Sequence, residues 1–391
     1  MSKYVKNKDS SDPWMIDESS QGWTLGKKAT ISVANEAAIN ILLGSDNNMI
    51  KLAGDLDASG AGSDGLRIMG DATTVEIKKS SQIKAEDGIF NASTGSRIET
   101  FGTIEATDRG IVSDGGLDLV NGGRIKADEA IALFGESSVK NLNGGVIEGD
   151  ALGVRLVTLT ETKLENYGKI LADGLAVNIS GTGDGYLMNE GRIVGDVQFG
   201  SGNDYFNNVE GKTTGQVAGG HGSDDYYIGK NKVELVENFD EGHDRVFSYA
   251  NWKLGENFEE IYVLGDKNIN ATGNDLGNVV RGNPSDNILR GKGGHDYLEG
   301  HAGDDTLIGG SGSDYFIFRE GYDRDTVADF DPAEDVLAII SLVSDFAELS
   351  SLISQHGDDT WISFGSGDRL ILRGIDAADV TEDVVAFNIP M

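Results

Sequence analysis

Between about Gly26 and Gly195 the chain runs in short stretches where apolar residues alternate with charged ones, and each stretch follows a glycine turn. The segments TFGTIEA, NGGRIKAD, NGGVIEGD, NYGKILAD and NEGRIVGD place equivalent glycines at 102, 123, 145, 168 and 191, at intervals of 21, 22, 23 and 23 residues. Within Arg124-Ile125-Lys126-Ala127 the alternation turns isoleucine to one side and charge to the other, which predicts a half-buried strand. Runs such as 176–179 and 186–188 predict further strands in the remainder of each repeat. One repeat cannot bury its own apolar face. The pattern therefore predicts stacked coils of about 22 residues, a parallel β-solenoid with a continuous Ile, Val and Leu core. Asn121, Asn143, Asn166 and Asn189 recur just ahead of the turn glycines. They either stack as an internal amide ladder or stand there because Asn tolerates the turn conformation.

Further along, the period shortens to nine. Units begin at Gly273, Gly282, Gly291, Gly300 and Gly309; their sixth residues are Asn278, Asn287, Asp296, Asp305 and Asp314, and their eighth Val280, Leu289, Leu298, Leu307 and Phe316. Glycines such as Gly291, Gly294, Gly300, Gly303, Gly309, Gly310 and Gly312 let the backbone turn and expose carbonyl oxygens, the Asp adds a charged oxygen, and the apolar residue starts a strand that packs inward. A hard cation such as Ca²⁺ takes six to eight oxygens, more than one turn supplies, so two stacked turns are needed. If nine residues make half a coil, units 18 apart lie on the same side, which pairs Asp296 with Asp314 and Asp305 with Asp323. Without an ion, such carboxylates repel one another and keep the segment open. Two similar turns stand apart: FGSGNDYFN, with Gly200, Gly202 and Asp204, and GGHGSDDYY, with Gly220, Gly222 and Asp224. Their spacing of 20 residues suits successive coils with an ion between them and Asp225 as a spare carboxylate.

GGSGSDYFI, 309–317, matches every specified position of the calcium-binding signature G-G-x-G-x-D-x-U-x, whereas GKGGHDYLE and GHAGDDTLI carry Lys292 and His301 at the second position. This block resembles the RTX (repeats-in-toxin) proteins of the type I secreted class. The resemblance implies a parallel β-roll that binds several Ca²⁺ ions and folds on meeting them outside the cell. YDRDTVADFDPAEDVLAI is similar to the segment that closes such rolls, where Asp329, Asp331 and Asp335 are expected to add oxygens. The last stretch, from Asp358, resembles the family's uncleaved secretion region, which implies the type I secretion machinery as a partner. The longer-period region resembles the right-handed β-helices of autotransporter passengers and pectin-lyase-like proteins. The expected organisation is a tail or cap (1–25), a parallel β-helix (26–230), a connecting strand region (231–272), the RTX β-roll (273–325) and a C-terminal cap with secretion signal (326–391), all-β throughout.

Composition sharpens this picture. Against 32 Lys and Arg stand 65 Asp and Glu, a formal charge of −33, which argues against nucleic acid or anionic membrane and for metal or polycation partners. No Cys is present, so neither disulfides nor thiolate sites hold the fold. The first 23 residues contain no apolar core of a cleavable signal peptide, and no run of about 18 apolar residues predicts a membrane span.

No H-E-x-x-H or G-x-S-x-G occurs, which removes zinc-protease and lipase-type sites. Asp64 with Arg67, Asp108 with Arg109, and Arg124 are charges near coil corners open to a polysaccharide lyase or mannuronan-type epimerase. The Trp residues at 14, 23, 252 and 361 all lie outside the regular coils, away from any sugar cleft there. The sequence thus points to a calcium-dependent structural or adhesive protein, secreted by a bacterium to the cell surface or beyond. It would bind a surface or extracellular polysaccharide or stack end to end into filaments. A β-helical polysaccharide enzyme is the alternative.

Overall fold

A computed structural model describes residues 3–365 and 367–387, so Ser366 and the last residues of the expected secretion region lie outside the description. The chain forms two units, Met1–Gly222 with Asn231–Leu235, and Ser223–Lys230 with Val236–Met391. Both are parallel β-solenoids. No helix is long and apolar enough to cross a membrane.

In the first unit the predicted coils stack in register. Ile83, Ile104, Ile125, Ile147, Ile170 and Ile193 pair coil to coil and are fully buried. A second column runs Leu66, Ile89, Ile111, Ile131, Val154, Val177 and Val197, on strands that bend between the two columns. The opposite sheet contributes Val75, Ile98, Leu119, Val139, Leu164, Leu187 and Phe206. Each buried aliphatic side chain stabilises the stack by about 1.5–3 kcal/mol relative to exposure. Outside, Asp57, Lys84, Glu105, Lys126 and Glu148 alternate in sign along one column, so each charge meets the opposite charge on the neighbouring coil. The stretch ahead of Gly26 is itself coiled, with Lys3–Lys6 on Gly22–Leu25 and Trp14–Ile16 on Ile39–Ile41.

The turn glycines are needed for close approach. A Cβ on Gly123 would lie 2.0 Å from the Gly102 carbonyl oxygen, and one on Gly191 2.2 Å from that of Gly168. Beside them runs the amide ladder: Nδ2 of Asn121, Asn141, Asn166 and Asn189 each donates to Oδ1 of the next Asn at 2.7–2.9 Å, ending on Asn208. The rung expected at Asn143 is held by Asn141. The coil turn here is two residues longer, Leu142 to Gly145 closing by its own hydrogen bond, and this leaves Asn143 exposed.

The second unit narrows to two columns. One runs Val246, Ile261, Val280, Leu298, Phe316, Leu337 and Val385; the other runs Ala271, Leu289, Leu307, Val327 and Leu372. Two facing columns with tight turns between them make a β-roll. Arg369–Leu372 joins the roll in parallel and then carries an antiparallel pair, Asp359–Ser363 and Ile353–His356. The Arg369 guanidinium lies 4.3 Å from the Trp361 ring centroid, and His356 stacks on the same ring at 3.9 Å.

Candidate metal centre

Each nonapeptide turn folds its Asp back beneath its own first glycine. A Cβ on Gly291, Gly300 or Gly309 would fall 2.1, 2.3 and 2.2 Å from Oδ2 of Asp296, Asp305 and Asp314. The second and fourth positions take positive φ: Lys292 94° and Gly294 100°, His301 70° and Gly303 115°, Gly310 108° and Gly312 118°. These are left-handed values that glycine adopts freely and a side chain adopts at a cost.

The carboxylates then form two columns. On one side Oδ1 of Asp296 accepts from Asn278 N (2.7 Å), Oδ1 of Asp314 from Asp296 N (2.9 Å), and Oδ1 of Asp335 from Asp314 N (2.9 Å). On the other, Oδ1 of Asp305 accepts from Asn287 N (2.7 Å) and Oδ1 of Asp325 from Asp305 N (3.0 Å). The predicted pairing of Asp296 with Asp314 is present. The predicted pairing of Asp305 with Asp323 is not, because this coil holds 20 residues and sets Thr326 against Thr306. Asp325 occupies the stacked position with no exposed surface, while Asp323, exposed, takes only Gly303 N at 3.2 Å.

One oxygen of each ladder carboxylate is thus used, and Oδ2 of Asp296, Asp305, Asp314 and Asp325 is buried without a hydrogen-bond partner among the described residues. A buried unpaired acceptor costs about 1–3 kcal/mol, and more when charged, so these oxygens call for a proton or a cation. Burial raises Asp296 to about 7 and Asp314 to about 6. Burial raises Asp305 and Asp325 as well, helped by the Asp286 charge at Asp305 and by the Asp305 charge at Asp325. The oxygens are hard, anionic and dry, which fits Ca²⁺. Asp296 with Asp314 and Asp305 with Asp325 would hold it, together with turn carbonyls.

A pH prediction follows for the metal-free chain. Folded carboxyls raised above their unfolded values bind more protons when folded, so stability is full below about pH 4 and falls as pH rises towards about 7. Calcium needs the ionised forms and should invert that order. Thermal melts in chelator and in calcium at pH 5 and pH 7.5 check both signs.

The lead-in units close without an ion. Asn278 Oδ1 accepts from Asn274 N (2.7 Å) while its Nδ2 donates to Phe258 O (2.9 Å), and Asn287 does the same with Asn283 N and Ile269 O. An amide brings its own donor, so nothing is left over. At the far end Asp329 accepts from Gly309 N and Gly310 N, Asp335 also from Asp331 N, and Asp331 from Ala333 N. These three expected oxygen donors therefore cap backbone amides.

The glycines of the two outlying turns stack closely on one another. A Cβ on Gly220 would be 2.3 Å from Gly200 O and one on Gly222 1.9 Å from Gly202 O, with φ of 91° and 131°. Asp204 Oδ1 takes Gly185 N at 2.5 Å, and burial raises its carboxyl to about 6. Asp224 belongs to the second unit, where it meets Glu237 and Asp244; an oxygen of each lies within 4.8 Å of the others, all three buried. Burial drives Glu237 up to about 8 and Asp244 to about 6, and the Tyr226 hydroxyl donates to Glu237. Asp244 escapes a nine-residue alignment, although GHDRV at 242–246 keeps the Gly-x-Asp-x-apolar core of the signature. Glu237 carries no sequence signal. Asp225, expected as a spare carboxylate, is bound by Arg245 at 2.7 and 3.1 Å.

The charges considered for an enzyme are paired. Arg67 contacts Asp64 at 2.5 Å, Arg109 clamps Asp87 with two bonds of 3.0 and 2.6 Å and reaches Asp108 at 3.6 Å, and Arg124 meets Glu148 at 2.5 Å.

Lys292 offers a test of the turn. Lys292→Gly should stabilise the calcium-bound roll by about 1 kcal/mol, since glycine removes the left-handed penalty without removing a ligand. Unchanged or lowered stability in calcium-saturated melts would contradict this.

Comparison with known proteins agrees with the geometry. Residues 272–323 match the RTX calcium-binding nonapeptide repeat family, in four copies. No curated protein matches the chain. Among solved structures, the extracellular lipase LipA from Serratia marcescens is similar over 53% of this chain and 40% of its own, at 19% identity and a TM-score of 0.21. The chain thus spans less than half of that lipase. With stacked turns, buried carboxylate columns and the matching repeats in one segment, this chain carries RTX calcium-binding nonapeptide repeats, over residues 272–323, on a parallel β-solenoid.

Proposed function

We propose that the protein is a structural or adhesive component outside the cell, exported by a type I route, whose second unit folds when it meets calcium. The observation that carries this reading is the pair of columns in which four carboxylate oxygens are buried without a partner among the described residues. In a low-calcium compartment, deprotonated columns repel and the roll stays open. Extracellular sites of this class work at about 10⁻⁴–10⁻³ M, so export itself supplies the trigger. The first unit is held by its core columns and amide ladder and gives a regular surface suited to contact with a matrix or another cell. Far-ultraviolet circular dichroism and size-exclusion chromatography in calcium and in chelator test the proposal. A gain of β-signal and compaction on adding calcium is expected, and identical spectra and elution in both would sink it.

A further inference from the structure

The second unit has a cavity of about 430 Å³ on the outer side of the turns that carry Asp305 and Asp325. Val263, Leu264 and Pro284 give it apolar walls, and His301 and Tyr322 line it with polar groups. His301 stands where the neighbouring unit has Gly310, and it holds φ of 70° against 108° for that glycine. A side chain kept at a strained position where glycine would cost nothing points to a role for the side chain itself.

The hydrogen-bond chain behind the cavity fixes the chemistry of that ring. Glu299 is buried, and Arg281 and Arg319 pair with it at 3.1 and 2.9 Å. A carboxylate only accepts, so the Tyr322 hydroxyl donates to Glu299 Oε1 at 2.6 Å. With its proton committed, the Tyr322 oxygen accepts from His301 Nδ1 at 3.3 Å. A neutral imidazole that carries its proton on Nδ1 has a bare lone pair on Nε2. Among the lining residues His301 therefore offers an acceptor rather than a donor, beside the apolar Val263, Leu264 and Pro284. A lone pair repels an anion and suits a ring with an apolar face and hydroxyl donors at its edge.

We propose that this pocket binds one neutral pyranose ring of an extracellular glycan, a ring hydroxyl donating to His301 Nε2, and that calcium held by Asp305 and Asp325 closes the turns that form it. The calcium half rests on the function proposed above. His301 lies four residues before Asp305, and Tyr322 three before Asp325, so the ion and the sugar would order the same two turns from opposite sides.

The test is saturation-transfer NMR on the full chain, with the methyl glycosides of glucose, galactose and mannose, N-acetylglucosamine, and glucuronate as the anionic comparison. At least one neutral ring should bind at millimolar concentration in calcium and be lost in chelator. His301→Gly, which restores the residue the turn prefers, should weaken that binding about tenfold, as expected for one lost hydrogen bond, while the chain still folds on adding calcium in circular dichroism, with a gain in stability like that expected for Lys292→Gly. Absence of binding by every neutral ring to the calcium-folded chain overturns the proposal, as does full binding by His301→Gly or a preference for glucuronate over glucose. Binding that persists in chelator overturns the coupling. A chain with no calcium response at all refutes the reading beneath it instead.

Discussion

Asp325→Ala should abolish the calcium response of the second column, while Asp323→Ala leaves most of it. Asp325 has no exposed surface, accepts at Oδ1 from the Asp305 amide at 3.0 Å and keeps Oδ2 buried without a hydrogen-bond partner among the described residues, with the same need for a cation as Asp305. Removing it leaves one carboxylate in place of two, and the ion loses half its charged oxygens. A site occupied at a hundred times its dissociation constant contributes about 2.7 kcal/mol to the folded state, and that amount should vanish from the calcium-saturated stability. In chelator the sign reverses or the effect disappears, because the variant also removes one of two stacked like charges. Asp323 is exposed and caps only one amide, so its loss should cost about 1 kcal/mol. Calcium titrations followed by circular dichroism, with melts at saturating calcium, separate the two. Equal midpoints for Asp325→Ala and the parent chain would refute the stacking described here.

In the first unit, Asn166→Ala should be among the most damaging single changes, and Asn143→Ala close to silent. Asn166 accepts from Asn141 at 2.8 Å and donates to Asn189 at 2.7 Å, fully buried. Alanine there strands one donor above and one acceptor below, each at about 1–3 kcal/mol, for a loss of about 2–6 kcal/mol. Asn143 is exposed on its turn, and its replacement should stay within about 0.5 kcal/mol. Denaturant melts of the two variants are the measurement. Similar losses at both positions would mean that the ladder contributes through turn conformation and not through its amides.

How far the sequence could be read differs between the two units for a physical reason. The nonapeptide signature is local: glycine at the first position, positive φ at the second and fourth, Asp at the sixth and an apolar residue at the eighth all act within one turn. The close approach of Asp296 to Gly291 and of Asp314 to Gly309 follows from spacing alone. The glycine stack at 102, 123, 145, 168 and 191 was legible for the same reason, since each carbonyl touches the next turn at the same point in the repeat. Asn141 and Asp325 were not. Both displace a residue two positions away that a fixed repeat would choose, and both do so where a turn changes length by two. A strand's period is two, so such an insertion keeps the same face inward and leaves no trace in the apolar pattern. Asp225 looked free because Arg245, its partner, is a whole coil away.

The sequence alone determined that the chain coils, that its later turns carry carboxylates fit for calcium, and that neither cysteine nor an apolar span contributes. Those features depend on composition and on contacts within a turn or at a constant repeat. Which side chains share a column was decided only by the stacked structure: Asp305 over Asp325, the amide ladder through Asn141, and the gathering of Asp224, Glu237 and Asp244. Coil-to-coil hydrogen bonds set that register, and they count coil length residue by residue, including turns whose length no local pattern restricts.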